Sequence, residues 1–194
     1  GPSASEQENQ TQQQAGQPQE SKEQQLQTQF TYIDAVARLN GVKCPKAYTH
    51  TFGCQQNEAD TERIRGMLHE MGYEMTDSTE AADFILFNTC AVREHAEDRA
   101  FGNIGALSHL KKKRPDVVIA LCGCMAQRPE VAEKVRKSYR HVDLVFGPQA
   151  MWKFPELLWQ VYTRRGRVFS VEDEPGTIAE GTPVVREGSI RAWV

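Results

Sequence analysis

Four short strand-like stretches, each followed by a helical pattern, constrain this chain more than any other feature. Residues 84–90 and 117–122 are apolar almost without interruption, and residues 47–53 and 142–146 are rich in β-formers. Helix-like stretches follow them at 57–71, 93–113, 129–139 and 152–162. Strands that are apolar throughout are covered on both faces, as in a parallel sheet between two layers of helices. Repeated βα units with short loops therefore predict an α/β fold, a doubly wound (Rossmann- or flavodoxin-like) parallel sheet of four to five strands. Residues 167–171 would supply the fifth.

The flanks read differently. Phe30, Ile33, Val36 and Leu39 recur at near-helical spacing before Gly41, so a short docking helix is predicted within residues 30–42. Residues 1–29 hold eleven glutamines and only Ala4, Ala15 and Leu26 as aliphatic residues. Such a stretch cannot bury enough apolar surface to offset the entropy of ordering it, and it is predicted to be disordered. Residues 43–171 form the domain, and 172–194, a mixture of Pro, Gly and Glu, read as a linker.

The formal charge of −3 belongs to the first 29 residues, which carry four glutamates against one lysine, so the remainder is balanced. Domains that grip nucleic acid through its phosphates usually show a basic excess, and here there is only the run Lys111-Lys112-Lys113-Arg114. That run also suits a helix C-terminus. No apolar run approaches the roughly 18 residues of a membrane helix, and no secretory signal is evident. Five cysteines without a signal fit reduced thiols in the cytoplasm better than a disulfide framework. A cytoplasmic monomer is expected.

Three of those cysteines occupy equivalent places. Cys54 lies just past the first strand, Cys90 ends the second and Cys124 follows the third, at separations of 36 and 34 residues. In a parallel sheet these strand ends share one edge. With the first strand central, in the order 2-1-3, its neighbours stand about 5 Å to each side, which brings the thiols within about 10 Å. Each cysteine precedes a helix N-terminus, which favours a thiolate. Gly53 and Gly123 would let backbone approach a bulky cofactor, and Asn57 reads as an N-cap for the first helix. Three thiolates without a fourth ligand suit an iron–sulfur cluster with one open iron better than a zinc site with close ligand pairs. The rival reading is that the cysteines are small core residues of a metal-free structural or electron-transfer module. Cys122, inside an apolar strand, is assigned to the core, and Cys44 to no role. His50, His69, His95 and His109 complete no ligand set.

The motifs T-x-G-C-Q-x-N at 51–57, N-T-C-x-x-R-E at 88–94 and G-C-x-A-Q-R at 123–128 resemble the N-terminal domain of the methylthiotransferase family. The resemblance extends over about residues 46–194. Gln55 and the Met125-Ala126-Gln127-Arg128 ending look most like the branch acting on N6-prenylated adenosine in tRNA. Branches acting on a ribosomal protein or on threonylcarbamoyladenosine share the cysteines.

The resemblance implies that Cys54, Cys90 and Cys124 hold a 4Fe–4S cluster that carries sulfur or methylthio. It also implies a radical SAM domain, with a second 4Fe–4S cluster and S-adenosylmethionine, and an RNA-binding module. The implied reaction adds methylthio to C2 of the adenosine beside the anticodon. These 194 residues contain no C-x3-C-x2-C motif, so the chain alone is expected to be inactive and to hold tRNA weakly. Arg93 and Arg128 are candidates to face the cluster or substrate, against the alternative of ion pairing with a residue such as Glu97.

Overall fold

The computed structural model describes residues 21–53, 55–89, 94–164 and 166–171. Among them six parallel strands form one sheet: β1 (Lys46–Phe52), β2 (Glu74–Met75), β3 (Phe84–Thr89), β4 (Val118–Cys122), β5 (Leu144–Phe146) and β6 (Val168–Ser170). Their order is β2-β1-β3-β4-β5-β6, with every neighbouring pair parallel. The helices are α1 (Lys22–Asn40), α2 (Gln55–Glu70), α3 (Glu94–Lys113), α4 (Pro129–Ser138) and α5 (Phe154–Thr163). Two 3-10 segments, Met125–Gln127 and Pro148–Lys153, precede α4 and α5.

The apolar runs explain this layering. Every residue of β3 and of β4 is buried. Because successive side chains point to opposite faces, one run feeds two cores. Phe84 and Leu86 join Ile33, Ile64, Leu68 and Leu158 from α1, α2 and α5, whereas Ile85 and Phe87 join Phe101, Ile104, Val131 and Val135 from α3 and α4. The expected doubly wound parallel sheet is thus present, with one strand more than the four to five expected. The additional strand, β2, is two residues long, too short to declare itself by periodicity.

Two other expectations are corrected. Of the three strands that precede cysteines, β3 is central and β1 is not, because α2 carries the chain to β2 on the far side of β1. The first helix begins at Lys22, inside the stretch expected to be disordered. Ser21 starts it with a capping box, its hydroxyl accepting from the Gln24 N–H while the Gln24 side chain accepts from the Ser21 N–H. The helix then buries Gln29, Ile33, Val36 and Asn40. Gln29 Oε1 accepts the Glu156 N–H at the start of α5, 3.3 Å away. Glutamine is a competent helix former, so a glutamine-rich segment with one apolar stripe orders once it docks. Residues 1–20 and 172–194 lie outside the described residues. No described helix is long and apolar enough to cross a membrane.

Candidate metal centre

The carboxyl edge of the sheet brings the ends of β1, β3 and β4 together. Phe52 pairs with Thr89, and Asn88 pairs with both Thr51 and Cys122. The sequence continues from these ends into Cys54, Cys90 and Cys124 respectively. Cys124 is exposed and stands at the N-terminus of the Met125–Gln127 turn. Cys54, Cys90 and Arg93 lie outside the described residues. Among the described residues no group of three or more His, Cys, Asp or Glu side chains is arranged to hold a metal ion.

Cys122 and Cys124 are two residues apart yet have opposite surroundings. Cys122 is fully buried in the core, and burial holds its thiol well above the usual range, with Asp60 adding to the shift. Between them Gly123 turns the chain at φ 107°, a conformation that L side chains rarely adopt. A Cβ there would sit 2.2 Å from the Thr89 carbonyl oxygen and 2.6 Å from Asn88 Oδ1. Glycine is therefore required by the protein itself, which presses the end of β4 against the end of β3. Gly53, at φ 139°, makes a comparable turn after β1. Cys44 is exposed and precedes β1 at the opposite edge.

Beneath the cysteine-bearing ends lies a buried polar network that the sequence reading missed. Asn88 Nδ2 donates to the Asn57 carbonyl at 2.9 Å and to Thr61 Oγ1 at 3.0 Å, while Asn57 Nδ2 donates to Asn88 Oδ1 at 3.3 Å. The Thr61 hydroxyl also donates to the Asn57 carbonyl at 3.0 Å and shares a 2.8 Å hydrogen bond with Thr51. Thr89 Oγ1 donates to the Cys122 carbonyl at 3.3 Å. Asn57 is thus inside the first turn of α2, which starts at Gln55, instead of capping it. The available signal was the polar pair Asn88-Thr89 closing an otherwise apolar run.

Arg128 is engaged by its own neighbours. Its Nη2 lies 3.2 Å from Glu97 on α3, and its Nε donates to Glu130 at 2.9 Å. The helix-end N–H that Glu130 accepts, and Arg128 itself, hold the Glu130 carboxyl below its usual range. The basic run is partly spent at the other edge, where Lys111 binds Asp143 and Arg114 binds Asp83.

The donor chemistry fits a soft centre. Cys124 offers an accessible thiol, Cys122 is withdrawn into the core, and the residues following the two adjacent strand ends are again cysteines. Sulfur donors suit soft transition metals and iron–sulfur clusters more than hard cations.

Fold and edge together define a class: a parallel α/β domain with cysteines after three adjacent strands. The chain belongs to the uncharacterized protein family UPF0004, which it matches over residues 46–147. Among its relatives, the tRNA-2-methylthio-N(6)-dimethylallyladenosine synthase of Acetivibrio thermocellus is 46% identical over 172 residues, covering 86% of this chain and 36% of that protein. Proteins of the same name from Clostridioides difficile (strain 630) and Staphylococcus aureus (strain Newman) are 45% and 48% identical, over 87% and 74% of this chain. The chain spans about a third of the length of the curated relatives it matches.

Proposed function

We propose that this chain is the cluster-carrying N-terminal domain of a cytoplasmic tRNA methylthiotransferase that acts at C2 of N6-prenylated adenosine next to the anticodon. Cys54, Cys90 and Cys124 hold a 4Fe–4S cluster in this reading, which when bound supplies the sulfur of the methylthio group. The chain's own part is to present three thiolates from one sheet edge and to keep Cys122 out of the ligand set by burial. A radical SAM domain, with its own cluster and S-adenosylmethionine, and an RNA-binding module occupy the remainder of such a protein. The names of relatives at 45–48% identity, tRNA-2-methylthio-N(6)-dimethylallyladenosine synthases, support the 2-methylthio product and the tRNA substrate.

The observation that carries the reading is that β1, β3 and β4, the strands preceding Cys54, Cys90 and Cys124, are immediate neighbours in the sheet. Gly123 further demands that β3 and β4 end in contact. After anaerobic reconstitution the chain should hold about four iron and four sulfide. Cys54→Ala, Cys90→Ala and Cys124→Ala should each lose most of that iron, whereas Cys44→Ala and Cys122→Ala keep it. Full loading of the triple variant would refute the assignment. In the whole protein, the same triple variant should abolish methylthiolation of prenylated tRNA, and the isolated chain should give no product.

A further inference from the structure

Asn57, Thr61, Asn88 and Thr89 account for most of the buried polar side chains among the described residues. All four sit under one edge of the sheet. Their place in the register matters. Thr51, Asn88 and Cys122 form the last fully paired row of β1, β3 and β4 before the cysteine-bearing loops. Two and four residues earlier on the same face of β3, the equivalent positions are Leu86 and Phe84, both apolar core residues.

Stability alone does not call for amides here, since a matched set of apolar side chains would be nearly neutral in exchange. Directional bonds instead fix distances and orientations that apolar packing leaves looser. The bonds join three segments. Asn57 and Thr61 lie on the helix that starts one residue after Cys54, Asn88 and Thr89 close the strand before Cys90, and the Cys122 carbonyl precedes Cys124.

We propose that Asn88 is a positioning residue: it ties the helix that follows Cys54 to the strand that precedes Cys90, while Thr89 beside it ties that strand to the segment bearing Cys124. The inference rests on the cluster reading above and deepens it. Groups that orient metal ligands without touching the metal typically matter 10–100-fold in metal retention. Asn88 bonds Asn57 through both amide atoms and Thr61 through Nδ2, so one side chain carries three of the network's bonds. Gly123 is part of the same device, because its bare backbone lies against Asn88 Oδ1.

The test compares the wild-type chain with Asn88→Ala, Thr61→Val and the pair Asn57→Leu/Asn88→Leu, each reconstituted anaerobically with ferrous iron and sulfide. Thermal melting of the metal-free chain, iron retained against bathophenanthroline, and the electron paramagnetic resonance of the dithionite-reduced cluster are read. The leucine pair should melt close to wild type yet retain iron roughly 10–100-fold less well and give a shifted signal. Thr61→Val, which keeps the side chain's shape and removes the hydroxyl that accepts from Asn88 and donates to the Asn57 carbonyl, should show the same change to a smaller degree. If Asn88→Ala or the leucine pair loses cooperative melting, Thr61→Val decides. Folded variants with wild-type retention and signal overturn the proposal. So does iron loss that merely tracks lowered melting while the signal stays unaltered. A wild-type chain that takes up no iron overturns the cluster reading first and this inference with it.

Discussion

At the amino edge of the sheet two aspartates close the strand starts with charge, whereas at the carboxyl edge neutral amides and hydroxyls lie beneath the strand ends. Asp83 accepts the Lys46 N–H at 2.8 Å and faces Arg114; Asp143 accepts the Ile119 N–H at 2.9 Å and the Lys111 ammonium at 2.7 Å. Arg114 also donates to the Ala82 carbonyl. Lys111 comes from the last turn of α3 and Arg114 directly follows that helix, where its dipole favours a cation. The charges pair with one another within the chain, although Arg114 Nε is buried without a hydrogen-bond partner among the described residues. The carboxyl edge spends its polar groups below the surface and leaves the Cys124 thiol outside. The amino edge thus secures the fold, and the carboxyl edge is the one to which the proposed cluster belongs.

The sharpest way to break that contrast is at Gly123. Gly123→Ala forces a side chain into the Thr89 carbonyl at a backbone angle it resists, and should cost about 3 kcal/mol. Denaturant unfolding of the metal-free chain measures this. Gly66, in α2 with nothing near a built Cβ, is the control: Gly66→Ala should stabilise by about 0.5–1 kcal/mol. A comparable loss at both positions would remove the special role of the β3–β4 contact.

Asp143→Ala works from the other edge. It removes the acceptor of the Ile119 N–H and leaves the Lys111 ammonium with the Val117 carbonyl but without its counterion, and should lower stability by about 2 kcal/mol. Iron content after reconstitution should not change. Reduced loading in a folded Asp143→Ala chain would mean that the two edges are coupled.

The smallest effect is expected from the tyrosine pair on the amino side. Tyr73 and Tyr162 share a hydrogen bond, and burial pushes Tyr162 up to about 12 and Tyr73 higher. In the unfolded chain both titrate near 10, so above pH 10 the unfolded state sheds protons that the folded state keeps. Their contribution is intact below pH 10 and declines as pH rises towards about 12. Melting temperatures between pH 9 and 11.5 should fall less steeply in Tyr162→Phe than in wild type.

The sequence made some of this legible for clear physical reasons. A run such as 84–89 that is buried at every position announces a central parallel strand, and a cysteine directly after it inherits a place on the carboxyl edge. Strand order was not legible, because β2 consists of Glu74 and Met75 alone and its position displaces β1 from the centre. The start of α1 was hidden by composition, since what orders residues 21–29 is the Ser21 capping box and contact with α5. The Asn57–Asn88 pair spans 31 residues, and only the helical crossover brings the two together. Nothing local in either motif pairs them.

All neighbouring strands here run parallel, so no hairpin brings two strand ends together early in folding. Parallel neighbours need a crossover connection, and pairing of this kind forms late because long loops must close first. A nascent chain must therefore have released β4, well past residue 118, before the three strand ends share an edge. Earlier in synthesis at most the ends of β1 and β3 can meet. Metal uptake at this edge would then report completed folding, and an apoprotein that loads in one step, with no stable intermediate stoichiometry, is the kinetic signature of such a sheet.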